Sequence, residues 1–271
     1  MSSRPWTVDD AAAHIAVPGI HDDKYSRGVL GVLTGSDQYP GAAVLGVESA
    51  LRTGVGMVRY VGGPRATDFV LQRRPEAVAG VGRVQAWVIG SGMDHASRDE
   101  DALSTAVDDG LPTVLDGGAI DLVHRTTAPT VATPHFRELG RLTGWSLEQI
   151  ADDPRRAAQR AADEVGATIL VKGHTTWVAG PGILLSVSEA PTWLATAGAG
   201  DALAGILGAL VATHSREALE DEQLLARLAA TAAVIHGRAA QRASAGGPLT
   251  ILDLCAAIPT TIAGMLSSVR P

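Results

Sequence analysis

The chain has 271 residues, of which 31 are glycine and only 4% are aromatic, and its length suffices for one large domain with a sizeable core. The formal net charge is -7 and no basic cluster occurs, which argues against a nucleic-acid partner. The single cysteine, Cys255, excludes an internal disulfide framework and a multi-cysteine metal site, and it favours a reducing, cytoplasmic location.

The strongly apolar segments of the sequence are short. The longest such run, residues 202–212, has fewer than the ~20 residues that a membrane-spanning helix needs. The N-terminus carries Asp9 and Asp10 and lacks the long apolar core of a signal peptide. We therefore expect no membrane partner. No linker or repeat divides the sequence, so residues 1–271 are expected to form a single domain, with about the first 20 residues as a loosely attached lead-in.

Apolar runs bounded by turns alternate with segments of helical periodicity along the chain. In chain order, the predicted elements are a strand at 29–34, a helix from Pro40 to about Gly54, strands at 57–61 and 86–90, a helix at 99–107, strands at 112–115 and 130–133, helices at 136–143 and 155–165, a strand at 168–172, hairpin strands at 175–179 and 183–187, and helices at 201–212, 217–243 and 252–266. This alternation predicts an α/β fold with a central, mostly parallel sheet and helices on both faces.

Polar or glycine-rich segments follow the predicted strands. They are residues 34–41, 90–94, 116–118, 133–138, 172–176 and 196–201. Because ligands of such folds bind beyond the carboxyl ends of the strands, these segments are predicted to border one site.

The segment 196–205 places small residues directly before an apolar helix, with one carboxylate at the junction. Gly198, Ala199 and Gly200 allow backbone N–H groups to approach an anion, and a helix N-terminus adds the positive end of its dipole. Asp201 is then either a helix N-cap, for which aspartate is favoured, or a general base that takes a proton from a hydroxyl group being phosphorylated. The junction alone leaves both interpretations open.

Two other strand ends carry groups that can contact a nucleotide or a substrate. Residues 172–176 (Lys-Gly-His-Thr-Thr) offer an ammonium group and hydroxyls, although a hairpin turn with a solvated lysine has the same pattern. His135 follows the rigid Pro134, and its imidazole is either a ligand contact or merely structural. Glu138 either orients that ring or caps the following helix, and Asp116 either reaches a metal ion or hydroxyl or closes a turn.

Taken together, these segments and a few others carry a resemblance to a known family. The matching stretches are Lys24-Tyr25-Ser26-Arg27-Gly28, 34–36, 40–43, 51–56, 89–93, 114–119, 133–135, 170–175 and 197–205. In this order and spacing, the sequence resembles the ADP/ATP-dependent NAD(P)H-hydrate dehydratase family of the ribokinase-like superfamily over about residues 24–260. That family repairs NADH or NADPH with a hydrated nicotinamide ring: a nucleotide phosphorylates the ring hydroxyl, and loss of phosphate restores the dihydropyridine.

The resemblance implies a ribokinase-like fold and assigns roles to the matched residues. It makes Asp201 the catalytic base, also in contact with the substrate NAD(P)HX, and Gly198 to Gly200 the anion hole for the transferring phosphoryl group. The implied substrate contacts are Ala42, Ala43, Gly92 and His135. The implied adenine-nucleotide contacts are Lys172, Gly173, His174, Thr175, Thr176, Gly198 and Gly200. ADP or ATP would be the phosphoryl donor, with Mg²⁺ offsetting the phosphate charge and no metal ligand assigned.

The sequence departs from the family pattern at three places. Ser91 stands in what is usually a Gly-Pro-Gly turn, Ala199 replaces a common threonine, and Phe136-Arg137 replaces Pro-Gly before Glu138. Two alternatives therefore stay open. One is a kinase of another small hydroxylated metabolite, which would use the same base but release a phosphorylated product. The other is a weakly active paralogue that binds the nucleotide as a sensor or partner module.

The resemblance also implies partners. We expect a homo-oligomer. We also expect no fused epimerase domain before residue 24, so that any NAD(P)HX epimerase would act as a separate protein. The sequence does not decide between ADP and ATP, or between NADHX and NADPHX.

Overall fold

The computed structural model describes residues 2–95 and 98–269, and all the strands in that part of the chain join one sheet. The strands are β1 (Arg4–Pro5), β2 (Val29–Leu33), β3 (Met57–Tyr60), β4 (Val78–Ala79), β5 (Ala86–Ile89), β6 (Thr113–Leu115), β7 (Thr130–Ala132), β8 (Thr168–Val171), β9 (Thr176–Gly180) and β10 (Ile183–Val187). The helices are α1 (Val8–Ala12), α2 (Pro40–Thr53), α3 (Pro64–Arg73), α4 (Glu100–Asp108), α5 (Phe136–Thr143), α6 (Leu147–Asp152), α7 (Pro154–Val165), α8 (Ala199–Thr213), α9 (Leu224–Ser244) and α10 (Ile251–Val269), with short 3₁₀ helices at Gly117–His124, Thr192–Leu194 and Glu217–Leu219.

The sheet order is β1-β10-β9-β8-β7-β6-β5-β2-β3-β4. Among the described strands, β9 alone runs antiparallel to its neighbours, β8 and β10, and every other pairing is parallel. The predicted α/β class with a mostly parallel sheet is therefore confirmed. The antiparallel step comes from the predicted hairpin, whose two-residue turn requires it.

Each central strand buries side chains on both faces of the sheet. In β2, Leu30 and Val32 pack into the core beneath α2, α8, α9 and α10, whereas Val29 and Leu33 pack into a second core beneath α4, α5, α6 and α7. This strict alternation follows from the two-residue period of a strand. It explains why the strands are apolar throughout, with no polar alternation.

Most predicted element bounds agree with the structure to within two residues, and α5 agrees fully. The main difference is α9, which begins at Leu224 because residues 217–219 form a separate 3₁₀ turn. Besides α1, β1 and β4, the peripheral helices α3 and α6 were not predicted. Both are polar: α3 buries only Ala66 and Val70, and α6 buries only Ile150, so neither leaves an apolar period in the sequence.

The expected loose lead-in is wrong for residues 4–12. The strand β1 extends the sheet beside β10, and the indole of Trp6 is only 5% exposed. Its Nε1 donates a hydrogen bond to Thr231 Oγ1 at 3.1 Å, and α1 buries Ala11 and Ala12 beside it. Only residues 16–26 of this region are exposed throughout. A two-residue strand has no sequence signature. The large apolar side chain of Trp6 was the indication in the sequence that this segment packs against the domain.

The unpredicted helix α3 is tied to α2 by a buried carboxylate. The Glu48 side chain has no exposed surface and forms ion pairs with Arg52, Arg73 and Arg74. Burial alone would raise the pKa of Glu48, but the hydrogen bonds from these arginines bring it down to about 2. The cluster thus ties the C-terminal half of α2 to α3, at the end of α2 that lies away from the carboxyl ends of the strands.

One helix within the described ranges, α10, is long and apolar enough over Ile251–Ser268 to cross a membrane by length and composition alone. Polar residues interrupt its apolar ones, so no long unbroken apolar run marks this helix in the sequence. Leu254, Cys255, Ile258 and Met265 are buried, and the helix packs mainly against α9 and α2. Its apolar side is therefore accounted for by contacts within the fold.

Helices α2 and α8 cross at a glycine. A Cβ atom at Gly205 would lie 2.1 Å from Ser49 Oγ and 2.2 Å from the Gly46 carbonyl oxygen, so the two backbones touch there. A Cβ atom at Gly208 would lie 2.1 Å from Val88 Cγ2, which brings α8 equally close to the sheet. These contacts set the distances of α8 from α2 and from the sheet, and hence the position of its N-terminus beside the carboxyl ends of the strands.

We predict that Gly205→Ala lowers the free energy of unfolding by roughly 1–3 kcal/mol, because overpacking forces α2 and α8 apart. Gly46→Ala is the matched control, since a Cβ atom there meets its nearest atom, the Asp201 carbonyl oxygen, at an ordinary 3.7 Å. That control should be neutral or slightly stabilising. Chemical denaturation of both variants measures the difference, and equal stabilities would contradict the close crossing.

Candidate functional site

The loops after β2, β5, β6, β7 and β8 meet at one edge of the sheet, as expected for parallel strands. The Gly35 N–H donates to the Ser91 carbonyl at 2.7 Å, and the Lys172 N–H donates to the Pro134 carbonyl at 2.9 Å. The N-terminus of α8 joins this edge, because a Cβ atom at Gly200 would lie 3.4 Å from Lys172 Nζ. The structure thus brings the predicted segments together.

The centre of this edge is a buried ion pair. Asp116, which is 4% exposed, accepts hydrogen bonds from Lys172 Nζ at 2.8 Å, Thr133 Oγ1 at 2.7 Å and Ser91 Oγ at 2.8 Å. Burial opposes ionisation, but Lys172 and the two hydroxyls hold the pKa of Asp116 below its usual range. Asp116 therefore does more than close a turn.

Lys172 is not a solvated lysine. Its side chain is 21% exposed, and Nζ lies 3.6 Å from Glu138 Oε2 in addition to its bond with Asp116. Burial disfavours the ammonium form, yet Asp116 and Glu138 outweigh it and raise the pKa of Lys172. The positive charge therefore persists beneath Gly200, where it strengthens the anion-attracting helix N-terminus.

Asp201 is not the N-cap of α8. The helix begins at Ala199, and Gly198, with φ +91°, takes the cap position without a side-chain hydrogen bond. Asp201 thus lies in the first helical turn as a part-buried carboxylate. Burial and the nearby Asp116 raise its pKa to about 6, and Lys172 partly offsets both. A carboxylate of this kind is ionised at neutral pH and is still basic enough to accept a proton.

His135 takes the N-cap position of α5. Its Nδ1 accepts a hydrogen bond from the Glu138 N–H at 3.1 Å, while Glu138 Oε2 accepts one from the His135 N–H at 2.8 Å. Both predicted roles of Glu138 are therefore present: it caps the helix and fixes the ring. The neutral ring then carries its proton on Nε2, which lies 3.5 Å from Glu138 Oε1 in a side chain that is 48% exposed.

A cavity of about 770 Å³ opens beside this edge of the sheet. Its lining includes residues of the predicted site segments, namely His135, Lys172, Gly173, His174, Thr176, Thr196, Ala197, Ala199 and Gly200. It also includes residues that were not predicted, among them 189–192, 194, 195, Leu203 and His236. Thr175 borders an adjoining cavity with Gly173 and His174. The predicted nucleotide residues thus lie around connected space, apart from Gly198, which packs against Leu45.

The predicted substrate residues on α2, Ala42 and Ala43, are buried and pack against the loops after β5 and β2. Ala43 has no exposed surface and lies against Gly35, where an added Cβ atom would come within 2.9 Å of the Ala43 Cβ. Ala42 is 7% exposed and lies against Gly92, where the same distance would be 2.4 Å. These small residues let the loops after β2 and β5 approach α2 closely, and their contact with a substrate stays a prediction.

The comparisons with known proteins agree with this geometry. A family model described as NAD(P)H-hydrate dehydratase matches residues 30–259. The bifunctional NAD(P)H-hydrate repair enzyme Nnr of Mycobacterium leprae is 41% identical over 275 residues, which cover 96% of this chain and 54% of that protein. The ADP-dependent (S)-NAD(P)H-hydrate dehydratase of Neisseria meningitidis is 32% identical over 210 residues, which cover 70% of this chain and 71% of that protein.

This chain spans about half the length of the bifunctional relatives that it matches. Among solved structures, it is similar to the ADP/ATP-dependent NAD(P)H-hydrate dehydratase from Bacillus subtilis co-crystallized with ATP/Mg²⁺. The TM-score is 0.87 at 23% sequence identity, covering 98% of this chain and 99% of that one. It is also similar to a ribokinase-like superfamily protein from Enterococcus faecalis, with a TM-score of 0.84 at 22% sequence identity, covering 97% of this chain and 96% of that one. The predicted ribokinase-like fold is therefore confirmed.

We predict that Asp201→Asn stabilises the ligand-free protein at pH 8 by roughly 1–3 kcal/mol. The pKa of Asp201 is about 6 in the folded chain and lies near 3.8 when the carboxylate is unperturbed, so ionisation costs stability as the pH rises through this window. Asparagine does not ionise, so its advantage should shrink towards pH 4. Denaturant unfolding at both pH values measures it; a variant less stable by the same amount at each pH would contradict the burial of charge.

Proposed function

This chain belongs to the NAD(P)H-hydrate dehydratase family, and from that premise we propose that it returns hydrated NADH or NADPH to the reduced dinucleotide at the expense of ADP or ATP. The observation that carries the proposal is Asp201, a carboxylate with a pKa of about 6 in the first turn of a helix whose N-terminus lies over the Lys172 ammonium group. A base and an anion site are thus adjacent, as transfer of a phosphoryl group to a hydroxyl requires.

In the proposed reaction, Asp201 accepts the proton of the ring hydroxyl as that oxygen attacks the terminal phosphorus of the nucleotide. The backbone N–H groups at the start of α8 and the Lys172 ammonium group stabilise the charge on the transferring phosphoryl oxygens. The carbon–oxygen bond of the phosphorylated ring then breaks, phosphate leaves with the bonding pair, and loss of the adjacent ring proton restores the double bond. His135 Nε2, held in place by Glu138, is available to hydrogen-bond the dinucleotide.

We propose that Mg²⁺ enters with the nucleotide. Across residues 2–95 and 98–269, no group of three His, Cys, Asp or Glu side chains is placed to hold a metal ion. Mg²⁺ commonly keeps several waters and binds through substrate phosphates, so the absence of a protein cage fits an ion held mainly by the nucleotide. When bound, it would offset phosphate charge.

The remaining expectations become proposals about context. We propose that the protein acts in the cytoplasm, and its one buried, free cysteine supports such a reducing location. We propose further that it forms a homo-oligomer. We also propose that an NAD(P)HX epimerase works in the same pathway, because relatives named bifunctional repair enzymes carry two activities in one chain. The corresponding partner activity is the conversion of one epimer of the hydrate into the other.

The direct test mixes the purified protein with hydrated NADH, Mg²⁺ and either ADP or ATP, and follows the return of dihydronicotinamide absorbance. Nucleotide-dependent recovery with release of free phosphate supports the proposal and ranks the two donors. Formation of a stable phosphoester without recovery would instead identify a kinase. Binding without any turnover would identify a nucleotide-binding module.

We predict that Asp201→Asn lowers turnover by at least ~10²-fold while ADP binding persists, because the variant keeps the shape of the side chain but cannot accept the proton. Steady-state rates and calorimetric ADP titration measure the two effects. Near-normal turnover would reject Asp201 as the base.

We predict that kcat/KM rises through about pH 6 and then levels off, since Asp201 must be ionised to act as a base. Lys172→Met should move this inflection to higher pH, because Lys172 lowers the pKa of Asp201. Asp116→Asn should move it to lower pH, because Asp116 raises that pKa. Asp163→Asn, on the exposed face of α7, is the control and should leave the inflection in place. Shifts of the same sign in the first two variants would contradict the electrostatic assignment.

A further inference from the structure

His236 is a buried polar residue on the wall of the 770 Å³ cavity that the reaction described above does not use. It lies within α9, is 7% exposed, and contacts the Ala199 backbone at the start of α8. Its Nε2 atom is buried and has no hydrogen-bond partner in the structure. An unpaired buried polar atom is costly, and such an atom on a cavity wall indicates a ligand group that completes it.

The surroundings of His236 restrict the chemistry of that group. Burial lowers the pKa of the ring to about 4, and the Lys172 ammonium group acts in the same direction. The imidazole is therefore uncharged at neutral pH. It does not serve as a cation for phosphate, a role that Lys172 and the start of α8 already fill.

A ribose hydroxyl fits these restrictions. It can donate or accept, so it pairs with Nε2 in either tautomer of the neutral ring, whereas a phosphate oxygen only accepts. The position also agrees: the ring contacts Ala199 at the phosphate end of the cavity, and the apolar side chains of Leu203 and Ala233 line the same space. In a nucleotide, the sugar lies between its phosphates and its base.

We propose that His236 Nε2 hydrogen-bonds a ribose hydroxyl of the adenine nucleotide and makes this residue a determinant of ribonucleotide selection. The inference rests on the proposed function for the identity of the ligand, since the cavity is taken as the nucleotide site. It adds a specificity residue from α9, outside the segments that the sequence resemblance assigned.

The test is calorimetric binding of ADP, 2′-deoxy-ADP and 3′-deoxy-ADP in the presence of Mg²⁺, without the dinucleotide. The wild type should bind ADP roughly three- to tenfold more tightly than one of the two deoxy forms, the range expected for one net hydrogen bond. His236→Phe should lose ADP affinity by a similar factor and bind ADP and that deoxy form equally. His236→Gln, which keeps a donor and an acceptor, should restore part of the preference.

Two controls make the outcome decisive. His124→Phe, at an exposed histidine that is not part of the cavity lining, should keep the wild-type preference. The ratio of the affinities for ADP and inosine diphosphate, which differ only in the base, should be the same in the wild type and in His236→Phe. If the wild type binds all three adenine nucleotides equally, binds none of them, or loses only base discrimination in His236→Phe, the inference is overturned. The wild-type comparison remains valid even if His236→Phe fails to fold.

The inference and the proposed function fail differently. A ribose preference that depends on His236, in a protein that does not restore NADH, would overturn the proposed reaction and leave the inference intact. Recovery of NADH with equal use of deoxynucleotides would do the opposite.

Discussion

The site depends on one buried ion pair, between Lys172 and Asp116. Asp116 holds the ammonium group under the start of α8 and keeps it charged in a place where burial alone would discharge it. The same two residues act on Asp201 in opposite directions, one raising and one lowering its pKa. A buried ion pair is weak evidence for stability, because desolvation offsets its attraction. Here the pair keeps Lys172 positively charged beneath the start of α8, and both of its members act on the pKa of Asp201.

The pair can act in this way only because the backbone brings its partners together. Asp116 ends β6 and Lys172 follows β8, with β7 between them, so parallel strands place both side chains at one edge. Gly205 then determines how closely α8 approaches α2, and Gly208 determines how closely α8 approaches the sheet. Bulk at either glycine would move Gly200 away from Lys172. The reactive groups are thus placed by the least reactive residues in the chain.

Features set by neighbouring residues were predictable from the sequence. The start of α5 follows from Pro134 and from the His135–Glu138 capping pair, all within five residues, and its end follows from Gly144. The strands other than β1 and β4 followed from apolar runs bounded by turns. Whether Asp201 caps α8 was not a local question, because Gly198, at φ +91°, takes the cap position three residues earlier.

The pairing partners of the site were also beyond sequence reasoning. Lys172 and Asp116 are 56 residues apart, and in the sequence they follow two different predicted strands with nothing that links them. Ser91, noted only as a departure from a family turn, donates to Asp116 and so takes part in the network. His236 lies on a helix with a buried apolar stripe, where a histidine without neighbouring ligands gives no signal. Only the tertiary packing of α9 against the start of α8 places it at the cavity.

The charge balance of the site determines what it can bind. Asp116, Glu138 and Asp201 bring three carboxylates to the surroundings of one ammonium group, Lys172. A nucleotide adds further negative charge, which would raise the pKa of Asp201 and leave it protonated, and so useless as a base. Under the proposed function, the nucleotide would therefore bring a compensating cation with it. With one lysine and, among residues 2–95 and 98–269, no acidic metal cage, the proposed site would suit a nucleotide–metal complex better than the bare anion. The ion would then preserve the base as well as assist the leaving phosphate.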